Sequence, residues 1–434
     1  MNEKRICWYM FFLGLFVKTQ LHLVGYIGVS ELIVAFCAPF VFVRYYGAMK
    51  RDGMSTILNL AFMAIVGCVC SSLINGSSFS QVIRGFAQTY MTWAALVVGY
   101  YLLSGNIMSY RWFVLGGFLS GIFSIYFMQG AAVTAGGVHD VKGEAAVEMV
   151  KGSVLFWKNR ILPAVNLPIS MFYLQCPYLY SVIAPILLAI FGLVLSQGSG
   201  RGTFVVAMLS SALLAIGGKT RSRLARVRKY LLFYAILGMF ALGGLKTVYS
   251  WAASTGRLGE HAERKYRDQT QRGTGVLSML ISGRVDFFVG LYACLQKPIV
   301  GHGPWPIDKE GYREYFLTKY GTAEDFKNVI AFSNIYARKG IPAHSHLVGY
   351  WLEYGILGLP FWLYVLWLFY RYLKQDLEVM PELFGWLILA IPSLAWSILF
   401  NPYAARVSIP IVVVALILIH ARKNQMPYVG WRGR

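Results

Sequence analysis

The sequence predicts an all-α polytopic membrane protein, and three observations carry that prediction. Hydrophobic residues make up 57% of the 434 positions and charged ones only 14%, with a mean hydropathy of +0.54. That is more apolar surface than a water-soluble fold can hide. Apolar stretches of about twenty residues, the length a helix needs to cross a hydrocarbon core of about 30 Å, recur along the whole chain. Lys and Arg outnumber Asp and Glu by 40 to 19 and gather in connections between those stretches, as expected of loops retained in the cytoplasm during insertion. The net charge of +21 therefore does not indicate nucleic acid. The chain has no zinc-finger, helix-turn-helix or RNP-type pattern, and no nucleic-acid partner is expected.

In chain order the spacing predicts about twelve spans, near 6-23, 25-44, 56-75, 82-103, 111-129, 161-176, 178-197, 203-218, 230-249, 346-370, 383-400 and 404-421. The N-terminal "MNEKRICWYMFFLGLFV" has the basic head and apolar core of a signal peptide but no small-residue cleavage site after it, and reads as a retained first span. Span 161-176 is short and carries Pro163 and Pro168. Parity keeps it: the basic blocks "RYYGAMKRD" (44-52) and "KTRSRLARVRK" (219-229) both belong inside, so the number of spans between them must be even. The same count puts both termini inside. It leaves 130-160 and a long loop, 250-345, outside.

The chain thus divides into spans 1-9 over 1-249 with a small outer segment at 130-160, the large loop 250-345, and spans 10-12 with a tail over 346-434. A loop of that length, this aromatic, is expected to fold as a helical cap between spans 9 and 10. The six cysteines show neither metal spacing nor a disulfide framework and read as small hydrophobes.

Where the loop meets span 10 the sequence reads "IPAHSHLVGYWLEYGILG" (341-358), with two imidazoles at the mouth of an apolar run whose one acid is Glu353. The pattern His344-Ser345-x9-Gly355-x-x-Gly358 resembles the histidine signature of the O-antigen ligase and O-antigen polymerase superfamily. Three more segments agree in kind and order. "SQGSGRGTFV" (196-205) is similar to that family's small-residue turn with an arginine, "ISGRVDFF" (281-288) to its loop arginine segment, and "KPIVGHGPW" (297-305) to its P-x-x-G-x-G turn. The motifs cover residues 160-370; the topology covers the whole chain. Ser345, where Asn is frequent, and the second imidazole, His346, depart from the commoner pattern.

The resemblance implies a GT-C-like helical fold in the bacterial inner membrane with its site facing the periplasm. It implies a glycosyltransferase that moves O-antigen glycan from undecaprenyl diphosphate to a sugar hydroxyl of lipid A-core, without cofactor. A polymerase would use the same residues with a second carrier-linked glycan as acceptor, and a protein O-oligosaccharyltransferase would use a Ser or Thr hydroxyl. From another class, a transporter of lipid-linked sugars would also suit twelve helices. It should instead place its ionisable residues at the bilayer midplane.

For the ligase chemistry His344 is the expected base. Pro342 suggests a helix start, and a helix N-terminus disfavours a charged imidazole. Eleven residues, about three helical turns, place Gly355 on the same face. Without the motif an interfacial anchor would explain His344 equally well. His346 reads as a neighbour that hydrogen-bonds or packs. Arg201, among Gly and Ser in an outer turn, and Arg284 suit a diphosphate, because guanidinium grips two phosphate oxygens at once. Arg160 is a third candidate for the same anion. Asp286, two residues beyond Arg284, could simply pair with it. Arg338, near His344, is a possible supporting group or a solvated edge. There is no DxD pair, and the acids of "DKEGYRE" (308-314) read as solvated surface, so no metal is expected. Arginines would then neutralise the leaving charge.

Overall fold

The computed structural model describes residues 3-16, 20-22, 26-105, 109-113, 115-117, 119, 251, 255, 285-320, 340-373, 384-401 and 405-424. The fold is mostly helical. Helix α1 (Glu3–Leu15) is followed by a short antiparallel ribbon, β1 (Gln20–His22) with β2 (Tyr26–Gly28), in the register Leu21 opposite Ile27. The first two expected spans are therefore corrected at their junction. In "QLHLVGYIG" polar and apolar residues alternate on either side of Gly25, a period of two that competes with the helical reading of an apolar run.

Helix α2 (Val29–Arg51) continues seven residues beyond the expected span, so that most of the basic block becomes its last turns. Lys50 and Arg51 lie there against the negative end of the helix dipole. Helices α3 (Ser55–Ile74) and α4 (Phe79–Gly105) follow. Within the cap region come α5 (Val285–Gln296) and α6 (Tyr312–Tyr320). The chain then runs through α7 (His346–Tyr354), a 3-10 turn (Gly355–Gly358), α8 (Leu359–Arg371), α9 (Phe384–Phe400) and α10 (Ala405–Asn424).

Three segments among the described residues, Val29–Arg51, Ser55–Ile74 and His346–Arg371, are long and apolar enough to cross a bilayer. The molecule's surface agrees with its lengths. Phe36, Phe40, Val43 and Leu73 point outward, each more than 70% exposed, an arrangement suited to lipid and costly in water. This is a helical membrane protein. Its helix contacts follow the rule for lipid, where apolar burial gives no net drive and close packing must replace it. Ala94, Leu96 and Val97 of α4 are fully buried, as are Ile411, Val414 and Ala415 of α10.

The third apolar segment reaches that length only when its two helices, of nine and thirteen residues, are counted together, and it is not a straight rod. Gly355 has φ +65°, and a Cβ there would occupy the place of the Ile299 carbonyl oxygen. At Gly358 a Cβ would meet the Tyr350 carbonyl oxygen. The chain reverses between the two glycines, and α8 packs back along α7. His346 and Trp362, sixteen positions apart, have ring centroids 5.0 Å apart; along one helix they would be separated by about 24 Å. The two glycines are thus the turn of a helical hairpin. The face-sharing argument from eleven-residue spacing does not hold.

Candidate functional site

The site forms where α5, α6 and the strap 341-345 converge at the start of that hairpin. The strap is extended: Gly340 bridges Ile307, and Ile341 N–H donates to the Pro306 carbonyl at 3.0 Å. Pro342 therefore does not open the helix. Ser345 caps it instead, with extended backbone and its Oγ accepting from Val348 N–H at 3.1 Å. That hydroxyl also donates to the Ile398 carbonyl at 3.0 Å, tying the cap to α9. Ser is among the best N-cap residues because its side chain satisfies a donor that the first turn leaves open.

Two separations follow from this cap. His346 is the first helical residue, turned inward, fully buried and edge-on to Trp362. His344 lies before the cap, with its side chain 46% exposed. Only His344 can meet a polar substrate from outside. Its electrostatic partner is not the helix terminus but a full carboxylate: Nδ1 lies 2.9 Å from Asp286 Oδ2.

Close approach of α5 makes that pair. A Cβ on Gly290 would lie 2.8 Å from the Pro342 carbonyl oxygen and 3.3 Å from Ala343. The helix can press against the strap there, and Asp286, one turn earlier, reaches the imidazole. One turn later, Cys294 Sγ–H donates to the Val348 carbonyl at 3.6 Å, and burial pushes that thiol up to about 12. Val289, Ala293, Cys294, Tyr312, Ile341, Val348 and Leu352 form the small core beneath.

Asp286 also faces Arg313, with Oδ1 3.6 Å from Nη2 and side chains 26% and 24% exposed. In the segment "DKEGYRE" Lys309, Glu310 and Glu314 are exposed, as expected of solvated surface, while Asp308 in addition builds a helix start. Asp308 accepts from Tyr312 N–H at 2.9 Å and from Arg313 N–H at 2.8 Å, and Glu310 accepts from the Tyr312 hydroxyl at 2.9 Å. An acid just ahead of a helix, with Gly311 and Glu314 after it, is the signal that would have marked this start. Nothing local in the sequence announces that Arg313 then points to Asp286. Burial and the Glu310 contact push the Tyr312 phenol up to about 12, keeping it a donor.

The "KPIVGHGPW" turn docks onto the hairpin. His302 N–H donates to the Leu352 carbonyl at 2.7 Å and Ile356 N–H to that of Ile299 at 3.1 Å. Ser71 of α3 donates through its hydroxyl to the Glu353 carbonyl at 2.7 Å and accepts from Gly303 N–H at 3.0 Å. His302 Nε2 donates to the Ala293 carbonyl at 2.8 Å, and burial holds this imidazole below the usual range. Two of the sequence motifs are thus joined to each other and to α3.

The expected anion-binding residues Arg201, Arg284 and Arg160, and the possible supporting Arg338, lie outside the described residues, as do 130-160 and all of 161-249. Of the expected site residues, the structure positions His344 and His346 and separates them by burial.

Fold and site together define a helical membrane protein with a carboxylate-bound, solvent-reachable imidazole at the mouth of an apolar hairpin. The chain matches no family model, and no curated protein or solved structure is significantly similar to it.

Proposed function

We propose that this protein is an O-antigen ligase-type glycosyltransferase, with about twelve spans in a GT-C-like arrangement, set in the bacterial inner membrane with its site facing the periplasm. The observation that carries the reading is His344: half-exposed, bonded to Asp286 and placed where a loop subdomain meets apolar helices. A reaction between two lipid-anchored substrates needs its base at such a seam, reachable both from water and from the bilayer.

In the proposed reaction the donor is a glycan on undecaprenyl diphosphate and the acceptor a sugar hydroxyl of lipid A-core. His344 Nε2 takes the hydroxyl proton as the oxygen's electron pair forms the bond to the anomeric carbon. The bond from that carbon to the carrier phosphate breaks, and its electron pair leaves on the phosphate oxygen. Displacement of this kind inverts the anomeric centre. Arg201 and Arg284, with Arg160 as a third, would balance the diphosphate charge that a metal balances in other glycosyl transfers. General-base assistance of this type is worth about 10² to 10⁴ in rate.

The test is reconstitution of the full chain in proteoliposomes with carrier-linked glycan and purified lipid A-core. Glycan joined to lipid A-core is the expected product. Carrier-linked polymer in its place would reassign the protein to polymerisation, and movement of carrier-linked sugar across the bilayer without transfer would make it a transporter.

A further inference from the structure

We infer that Asp286 is the positioning residue of His344: it accepts the Nδ1 proton, which leaves Nε2 as the bare nitrogen available to substrate, and Arg313 fixes the carboxylate. The chemistry rests on the base role proposed for His344, but the geometry stands without it.

A carboxylate only accepts, so the ring atom 2.9 Å from Asp286 Oδ2 must carry hydrogen. In a neutral imidazole one nitrogen donates and the other accepts, and a bond at Nδ1 therefore selects the bare Nε2. Arg313 and Asp286 are similarly shielded, at 24% and 26% exposure, and His344 is more open at 46%. The imidazole is thus the member of the array most open to a substrate. Each member comes from a different element, and the elements have their own anchors: α5 packs at Gly290 against the strap, Asp308 caps α6 at its first turn, and the strap bonds to Pro306. Arg313 acts as a charge at 3.6 Å, beyond hydrogen-bond length. When Nε2 takes a proton, the imidazolium keeps its Nδ1–H on Asp286, so the ring need not turn during the reaction. A purely structural ion pair joining α5 to α6 would contain Asp286 and Arg313 but would have no effect on the tautomer of His344.

Nitrogen-15 NMR of full-length protein in nanodiscs, with labelled histidine and His344→Ala used to assign the signal, reads that tautomer directly. At about pH 8, above the ordinary imidazole range, the parent should show His344 protonated at Nδ1 and bare at Nε2. Asp286→Ala should show a mixture of tautomers. A parent protonated at Nε2, or an unchanged tautomer in Asp286→Ala, would overturn the inference. In the transfer assay Asp286→Ala should lower kcat by up to about 10⁴, the loss seen when a triad's orienting carboxylate is replaced, with KM near the parent value. Asp286→Glu should recover part of the loss, and Arg313→Gln should lose less than Asp286→Ala. An unchanged kcat in Asp286→Ala would remove the positioning role. A parent that transfers no glycan would sink the proposed function, while the NMR result would still decide whether Asp286 sets the tautomer.

Discussion

The helical bundle and the loop subdomain differ in the polar groups that hold them together, mainly hydroxyls in the first and charged side chains in the second. In the bundle, several hydroxyls turn back on their own helix: Ser72 donates to Cys68, Thr89 to Gly85, Thr92 to Gln88 and Ser397 to Ser393. Such local bonds ask nothing of a neighbouring helix and suit a lipid setting, where an unmade bond is costly. Other hydroxyl bonds cross between helices, from Tyr90 to the Ala35 carbonyl of α2 and between Thr92 and the Tyr350 hydroxyl of α7. In the loop subdomain polar groups reach across elements, from Asp286 to the strap, from Arg313 to α5 and from His302 to the end of α5. The contrast teaches where chemistry can sit. Hydroxyl bonds build a scaffold of neutral groups, whereas cross-element bonds among charged side chains make a charged array whose parts are held relative to one another, as a reacting group requires.

His344 and His346 compress that contrast into three residues. One belongs to the cross-element array, and the other is packed on Trp362 like any apolar side chain.

The comparison can be broken at several points, taken here from the largest expected effect downward. If Arg201 and Arg284 cradle the leaving diphosphate, transfer should continue in excess EDTA. Arg201→Lys or Arg284→Lys should each lower the initial rate by about 10² to 10³, because lysine keeps the charge but loses the planar fork. Near-parent rates in both would remove the cradle, and a requirement for Mg²⁺ would move the positive charge to a metal.

Gly355→Val should destabilise the hairpin by at least about 1–3 kcal/mol from its backbone conformation alone, before the clash with the Ile299 carbonyl is added. Thermal unfolding in detergent measures it. A midpoint equal to the parent's would mean that the reversal does not depend on this residue.

Ser345→Ala removes both the cap on α7 and the bond to Ile398, and should cost about 0.5–2 kcal/mol by the same measurement. Ser345→Asn should restore part of the cap.

The smallest effect concerns His302. Its folded pKa is depressed by burial, so its contribution to stability is fully present above the unfolded value of about 6.5 and is lost as pH falls through the lower folded value. Proteolysis of the loop subdomain should therefore quicken on acidification below about pH 6.5. His302→Gln, which retains an N–H for Ala293, should flatten that dependence. An unchanged pH profile in the variant would assign the effect elsewhere.

Much of the bundle was legible because apolar periodicity reports on a helix from its own residues. The expected spans 56-75, 383-400 and 404-421 correspond to Ser55–Ile74, Phe384–Phe400 and Ala405–Asn424. The ribbon at 20-28 was missed because strand and helix share a short apolar run. The reversal at Gly355 was missed because a glycine pair inside an apolar stretch reads equally as close helix packing. At the site, the sequence offers two imidazoles two positions apart, and the structure leaves His344 half-exposed and His346 buried. The carboxylate that holds His344 lies 58 positions upstream, and its arginine partner 27 beyond that carboxylate. Such pairs are fixed by how α5 and α6 dock, which no local pattern encodes.

The central claim is that His344, at the seam between the two regions, is the base of glycan transfer and that His346 is not. The direct measurement is the initial rate of transfer to lipid A-core in proteoliposomes containing chelator, for the parent, His344→Ala and His346→Ala at matched levels of folded protein. The account predicts a fall of about 10² to 10⁴ for His344→Ala and a measurable fraction of parent activity for His346→Ala. A near-parent rate for His344→Ala would contradict it.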